Sequence, residues 1–273
     1  MINAIRSETL KLMTTRLWWV LALILAVYVG FTAGLLAGLF GALGDQLAQQ
    51  PGAPALPEGM VPPIVYSAVT AVGYVFPLIL GTLAVTSEVR FQTLTPTFLA
   101  QPRRGRVLGA KLVVLAIAGA VFGVIGLVVA IGLGAPILTA TGNDAALGDT
   151  DTWALAGRVV LAMALWAIIG VGVGSLIQNQ VAAIVVVLAF TQFVEPILRA
   201  GTSIWEWTAT VGRFLPGAAS DALVGASLFT AFGTAGGSTV DPLEWWQGGL
   251  VLLAVAVIVS IVGYLTAWRR DIT

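Results

Sequence analysis

Residues 107–133 read VLGAKLVVLAIAGAVFGVIGLVVAIGL, 27 residues with a single charge, Lys111, near the start. A helix rises about 1.5 Å per residue and the hydrocarbon core of a bilayer is about 30 Å thick, so about 20 such residues cross it. The same test picks out Leu17–Leu43, Ile64–Ser87, Trp153–Ile177 and Gly248–Trp268 on either side. A shorter stretch, Val181–Leu198, lies near the lower limit for a span. Gln178, Asn179 and Gln180 separate it from the stretch before and read as a tight turn between antiparallel helices. The whole chain agrees: of 273 residues, 58 % are hydrophobic and 10 % charged, with a mean hydropathy of +0.98. A soluble domain carries about 25 % charged residues. The expectation is an all-α integral membrane protein, one domain with six transmembrane helices.

The charges sort onto two sides of such a bundle. Arg6, Lys11, Arg16, Arg90, Arg103, Arg104, Arg106, Lys111, Arg269 and Arg270 share one side. The other holds Asp45, Glu58, Asp144, Asp149, Asp151, Glu206, Asp221, Asp241 and Glu244, with Arg158, Arg199 and Arg213 as its cations. The positive-inside rule then places both termini in the cytoplasm. Every Trp except Trp166 falls at a span end or in a loop, where an aromatic belt belongs. The first span is too long for the apolar region of a cleavable signal and reads as retained, which points to a bacterial cytoplasmic membrane. Ahead of it, Ile2, Ile5, Thr9, Leu12 and Met13 share one helical face, with Arg6, Glu8 and Lys11 elsewhere. That pattern predicts an amphipathic helix in the membrane plane, the alternative being a solvated basic leader. Asp221–Gly236 is apolar but short, and a seventh span there would move Arg269 and Arg270 outside. It reads as a re-entrant outer element before the sixth span, or as an outer loop lying on the membrane.

Composition removes several chemistries. The chain has no His and no Cys, which excludes disulfides, the usual zinc and haem ligand sets, and Ser-His-Asp or Cys-His catalysis. No G-x-x-x-x-G-K-[ST] phosphate loop occurs. The carboxylates of the basic side, Glu8, Glu88 and Asp271, look too scattered in sequence to hold a metal and a diphosphate. No ring of charge or filter sequence suggests a channel. A net charge of zero gives no reason to expect nucleic acid. The chain therefore reads as a non-enzyme that binds no cofactor itself. Glu195 and Arg158, each close to a span end, are weak candidates for a direct transport role.

The loop after the second span is the most informative segment. It runs Ser87-Glu88-Val89-Arg90-Phe91-Gln92-Thr93-Leu94, then Thr95-Pro96-Thr97-Phe98-Leu99-Ala100, then Gln101-Pro102-Arg103-Arg104-Gly105-Arg106. Thr before Pro is a helix start signal, and Pro102 a stop. The spacing predicts a short surface helix with Phe91, Leu94 and Phe98 as an apolar stripe. Arg103, Arg104, Arg106 and Lys111 would hold it to lipid phosphates. This order of S-E-x-R-x-x-T, a short helix, P-R-R-x-R-V and A-K resembles the permease subunit of type 2 ATP-binding-cassette (ABC) exporters, in particular actinobacterial drug and lipid exporters. Leu215-Pro216-Gly217-Ala218-Ala219 resembles the start of the outer element in such permeases. One departure is Gln92, where the family often has Gly before the Thr.

The resemblance implies that two permease chains form a homodimer or heterodimer, and that two separate ATPase chains bind ATP and Mg. The loop would then be the coupling helix, with Glu88, Arg90, Phe91, Thr93, Leu94 and Phe98 at the ATPase. It also implies a pore lined by the second and fifth spans, here Tyr66, Thr70, Tyr74, Thr191, Gln192, Phe193 and Glu195. Such mixed aromatic and hydroxyl surfaces suit a hydrophobic or amphipathic cargo leaving the cytoplasm or inner leaflet, or simply join helices. The rival expectations are a non-transporting sensor or assembly module, with a loop that only anchors the topology, and a membrane enzyme acting on lipid.

Overall fold

The computed structural model describes residues 1–48, 59–100, 103–201, 206–226 and 243–268, and among them every element is helical. Six helical segments are long and apolar enough to cross a membrane: Leu17–Ala42, Val61–Arg90, Arg104–Ala140, Thr150–Leu176, Gln180–Arg199 and Trp245–Thr266. Their helices are α2 (Leu17–Ala48), α3 (Val61–Gly73) with α4 (Val75–Arg90), α6 (Arg104–Ala140), α7 (Thr150–Leu176), α8 (Gln180–Ala189) and α12 (Trp245–Gly263). Shorter helices are α1 (Ile2–Thr14), α5 (Leu94–Ala100), α9 (Glu195–Gly201), α10 (Glu206–Gly212) and α11 (Pro216–Val224). The third span is longer than its apolar stretch. Its 37 residues correspond to about 55 Å of helix, so it outreaches the hydrocarbon at its ends or tilts.

Two spans carry proline-driven irregularities. The second is divided at Tyr74, between α3 and α4, because Pro77 has no N–H for the carbonyl of Gly73. The fifth begins with Asn179, whose side chain accepts from the N–H groups of Val181 and Ala182, as the tight-turn reading anticipated. It then passes through a π-helical turn, Phe190–Val194, that ends two residues before Pro196. A π-turn beside a proline re-registers the helix where a regular hydrogen bond cannot form.

The second and fourth spans form the centre of the bundle. Gly81 faces the carbonyl of Ala167, and Gly170 faces that of Leu78, so closely that a Cβ at either position would collide with backbone. Glycine is required there by proximity, the small-residue packing expected of membrane helices. Thr82 Oγ1 reinforces the seam, 2.8 Å from the Leu78 carbonyl and 3.1 Å from that of Gly170. The first, third, fifth and sixth spans surround this pair and leave broad apolar faces outward, including Phe31, Val128, Val185 and Ile258.

The bundle has two distinct ends. At one, which carries the arginine-rich loop, α1, the end of α4, α5 and the start of α6 meet. At the other, Tyr66 donates to the Ala145 carbonyl (2.7 Å) and Asn143 donates to that of Gly41 (3.1 Å), tying the loop after α6 to the second and first spans. The predicted outer element is only partly in view. Its described part belongs to α11, which stops at Gly225 in a left-handed conformation (φ 85°). Residues 227–236 lie outside the described residues, as do Arg269 and Arg270.

Candidate functional site: two charged clusters at opposite ends of the bundle

At the basic end, four charged side chains from three helices converge. Lys111 of α6 is 1 % exposed. Its ammonium binds Glu8 of α1, lies 3.1 Å from Glu88 of α4, and donates to the Ala84 carbonyl at 3.2 Å. Lys11 binds the same two carboxylates, at 2.7 Å from Glu8 and 2.8 Å from Glu88. Thr97 of α5 stands 3.5 Å from the Lys11 ammonium. Buried charge is tolerated only with this degree of pairing. Burial alone would raise the pKa of Glu8 and lower that of Lys11. The ion pairs outweigh it in both, leaving the Glu8 carboxyl below its ordinary value and the Lys11 ammonium above its own.

Three expectations are corrected here. Lys111, expected among the lipid-phosphate anchors, is enclosed by carboxylates, whereas Arg103 and Arg106 are exposed and Arg104 lies 5.1 Å over the Phe98 ring. Glu88, expected at the ATPase interface, is buried. Glu8 and Glu88, scattered in sequence, share two lysines. The inward face of α1 is accordingly Ile5, Glu8 and Leu12, while Ile2 and Met13 are exposed. Of the other loop residues, Arg90 is exposed and donates to Gln180 at 3.1 Å, Phe91 is 68 % and Leu99 79 % exposed, and Phe98 packs partly on the core. Thr93 is exposed, with its N–H on the Glu88 carbonyl at 3.0 Å. The side chain of Leu94 lies outside the described residues. Gln92, the departure from glycine, has φ 55°, a conformation that glycine adopts without strain.

The opposite end holds a second cluster, around α11. This helix starts at Pro216 with no capping side chain of its own. Its first free N–H, on Gly217, donates to the Glu195 carboxylate across from α9. A carboxylate at a helix N-terminus is favoured by both the open N–H groups and the helix dipole. A side chain on Gly217 would collide with that carboxylate, so glycine permits the approach. Arg199 binds Asp221 at 2.8 Å and lies 3.5 Å from Glu195. Trp166 donates to Ser220 at 3.1 Å, and its ring stacks at 4.5 Å on Tyr74, whose hydroxyl donates to the Thr191 carbonyl at 3.2 Å.

These groups border a partly enclosed cavity of about 190 Å³, with Thr70, Tyr74, Thr191, Gln192, Glu195 and Asp221 in its wall. Five of the seven residues expected along a pathway therefore meet around one space. The other two do not border it. Tyr66 is buried against the loop after α6, and Phe193 is 66 % exposed on the outer face of the bundle. Sequence reasoning missed Tyr28, Arg199, Ser220 and Asp221. The one available signal was Trp166, the tryptophan outside the belt, which marks where α11 enters the bundle. Arg158 does not border the cavity; it lies 4.7 Å over the ring of Trp245 and beside Gly225 at the end of α11. No protein-family model matches the sequence, and no curated protein matches it.

Proposed function

We propose that the chain is the transmembrane permease subunit of an ABC exporter, moving a hydrophobic or amphipathic compound out of the cytoplasm or inner leaflet of a bacterial cytoplasmic membrane. Two such chains would pair, and two separate ATPase chains would supply ATP and Mg chemistry. In this reading both termini are cytoplasmic, α1 lies in the membrane plane, α5 is the coupling helix and α11 begins a re-entrant outer element.

The observation that carries the proposal is the way α5 is mounted. A seven-residue helix cannot be stable by itself, yet this one starts from a turn bonded to Glu88 and has Thr97, at its middle, beside Lys11. It is tied to the second span and to α1, with Arg104 of the third span over Phe98, while Phe91 before it and Leu99 near its end remain exposed. Exposed apolar side chains on a rigid mount beyond a span end fit a partner protein that pushes on the spans. The left-handed turn at Gln92, at the position where the family often has glycine, adds support. So does the polar cavity between the second and fifth spans.

The test is co-purification of the tagged chain with its genetic neighbours, scoring ATPase activity, beside a Phe91→Ala/Leu99→Ala variant. Glu88 is unsuitable for substitution because it is buried in an ion cluster. The expected result is an active ATPase retained by the wild type and weakened about tenfold or more by the variant, the loss of about 1.4 kcal/mol at an apolar hot spot. A wild type that never brings down an ATPase would overturn the proposal.

A further inference from the structure

Pro196 leaves the fifth span short of one N–H, and the backbone shows where that loss falls. In a regular α-helix the carbonyl of residue i takes the N–H of residue i+4, so the carbonyl facing Pro196 would be that of Gln192. The π-helical turn Phe190–Val194 changes the pairing. The Glu195 N–H reaches five residues back, to the Phe190 carbonyl, and is lost to Thr191, its partner in an α register. In the π register the partner of Thr191 is Pro196, which has no N–H. Thr191 is buried, and a buried carbonyl requires a donor. The Tyr74 hydroxyl supplies it from the second span, at 3.2 Å.

Tyr74 is placed to make that bond conditional. It is the residue at which the second span divides into α3 and α4, so a change of angle between the two halves moves its side chain. We infer that the Tyr74 hydroxyl is the lock of a two-register switch in the fifth span. While it holds the Thr191 carbonyl, the π register stands and Glu195 meets the Gly217 N–H. When it withdraws, the Glu195 N–H returns to Thr191, and α9 turns by one residue, about 100° and 1.5 Å. The turn falls on α9 because that helix has seven residues, whereas α8 is capped by Asn179 and packs Ala183 and Val187 inward. Glu195 then leaves Gly217, Arg199 turns away from Asp221, and the bonds that join α9 to α11 part together. A bend in the second span is thereby converted into release of α11 from the fifth. The switch does not depend on the transport reading, and it is tested without any ATPase present.

The chain has no Cys, so cysteines introduced in pairs carry spin labels at chosen positions only. The full chain in nanodiscs is labelled at Ile197 with Val128, and at Ile197 with Ile258, all three exposed on the outside of the bundle. Distances are read by double electron–electron resonance. Turning α9 by one residue carries a side-chain tip about 8 Å around the helix axis. Tyr74→Phe keeps the ring and removes the hydroxyl, and should shift at least one of the two distances by several ångströms. Deletion of Gln192 removes the extra residue of the π turn and restores a regular helix with Glu195 in its present orientation. In that background Tyr74→Phe should leave both distances where they were. Unchanged distances in Tyr74→Phe alone would overturn the inference. So would equal shifts in the two backgrounds, which mark a lost packing contact rather than a change of register. If Tyr74→Phe alone yields no folded chain by size exclusion, the deletion background decides: a folded Tyr74→Phe chain there upholds the switch, and failure in both overturns it.

Discussion

The two charged clusters of this bundle are built from the same residue types and do different things. At the basic end two carboxylates meet two ammonium groups, and every helix that contributes one is locked to the others. At the opposite end Arg199 binds Asp221, Glu195 takes the N–H at the start of α11, and a cavity borders the group. The first cluster is a clamp, because its paired charges join three helices, although Glu88 Oε2 is left without a hydrogen-bond partner. The second fixes the start of α11 beside open space. The lesson is that buried charge in a membrane protein is to be read by what it joins and borders rather than by its presence.

The contrast is broken most severely at Lys111. Lys111→Met leaves Glu8 and Glu88 facing each other with only Lys11 between them, and should destabilise the protein by about 3–5 kcal/mol. Thermal unfolding in detergent, followed by loss of the monodisperse peak, reads this directly. Combining it with Glu8→Gln should recover part of the loss. At the opposite end, Glu195→Ala removes the partner of the Gly217 N–H and should cost about 2 kcal/mol, with Glu195→Gln closer to the wild type in the same assay.

Acidity sharpens the comparison next. The Glu8 carboxyl titrates below its ordinary 4.5, so its contribution to stability is present above that value and is lost as pH falls through the lowered one. The Lys11 ammonium titrates above its ordinary 10.5, so its contribution is present below that value and is lost as pH rises through the raised one. The share of the melting temperature that disappears in a Glu8→Gln/Lys11→Met variant should therefore be constant between about pH 5 and 10. A share that changes steadily across that range would show that the cluster is not paired as described. The smallest effect is a gain. Gln92→Gly relieves a left-handed residue at φ 55° and should stabilise the α4–α5 turn by about 1 kcal/mol, measurable as slower amide exchange at Phe91 and Thr93.

The spans were legible because length and hydropathy are local properties. Each predicted span overlaps its helix, and the ends differ by a few residues where polar turns such as Arg104–Arg106 continue the helix beyond the apolar run. Cavity residues on the second and fifth spans were also legible, since hydroxyl and aromatic groups are conspicuous among Val, Leu and Ala. What the sequence did not reveal were the pairings. Lys111 next to an arginine-rich loop looks like one more anchor, and only the approach of α1 shows that Glu8 claims it. Arg199 and Asp221 lie 22 positions apart, and nothing local says that α11 folds back to join them. The face of α1 was misjudged for the same reason: a carboxylate satisfied by two lysines can occupy an inward position that the pattern reserves for apolar residues.

The π-helical turn Phe190–Val194 has a consequence for the fifth span as a whole. One surplus residue in a helix offsets the phase of everything after it by about 100°. The stretch before the turn presents Val181, Val185 and Val186 outward, while beyond it Glu195 and Arg199 point inward. Both halves keep an outward face, Val185 before the turn and Ile197 beyond it, and the surplus residue sets which positions face inward, Ala183 and Val187 on one side and Glu195 and Arg199 on the other. Expelling that residue toward either end would swing Glu195 away from the Gly217 N–H without unwinding the rod.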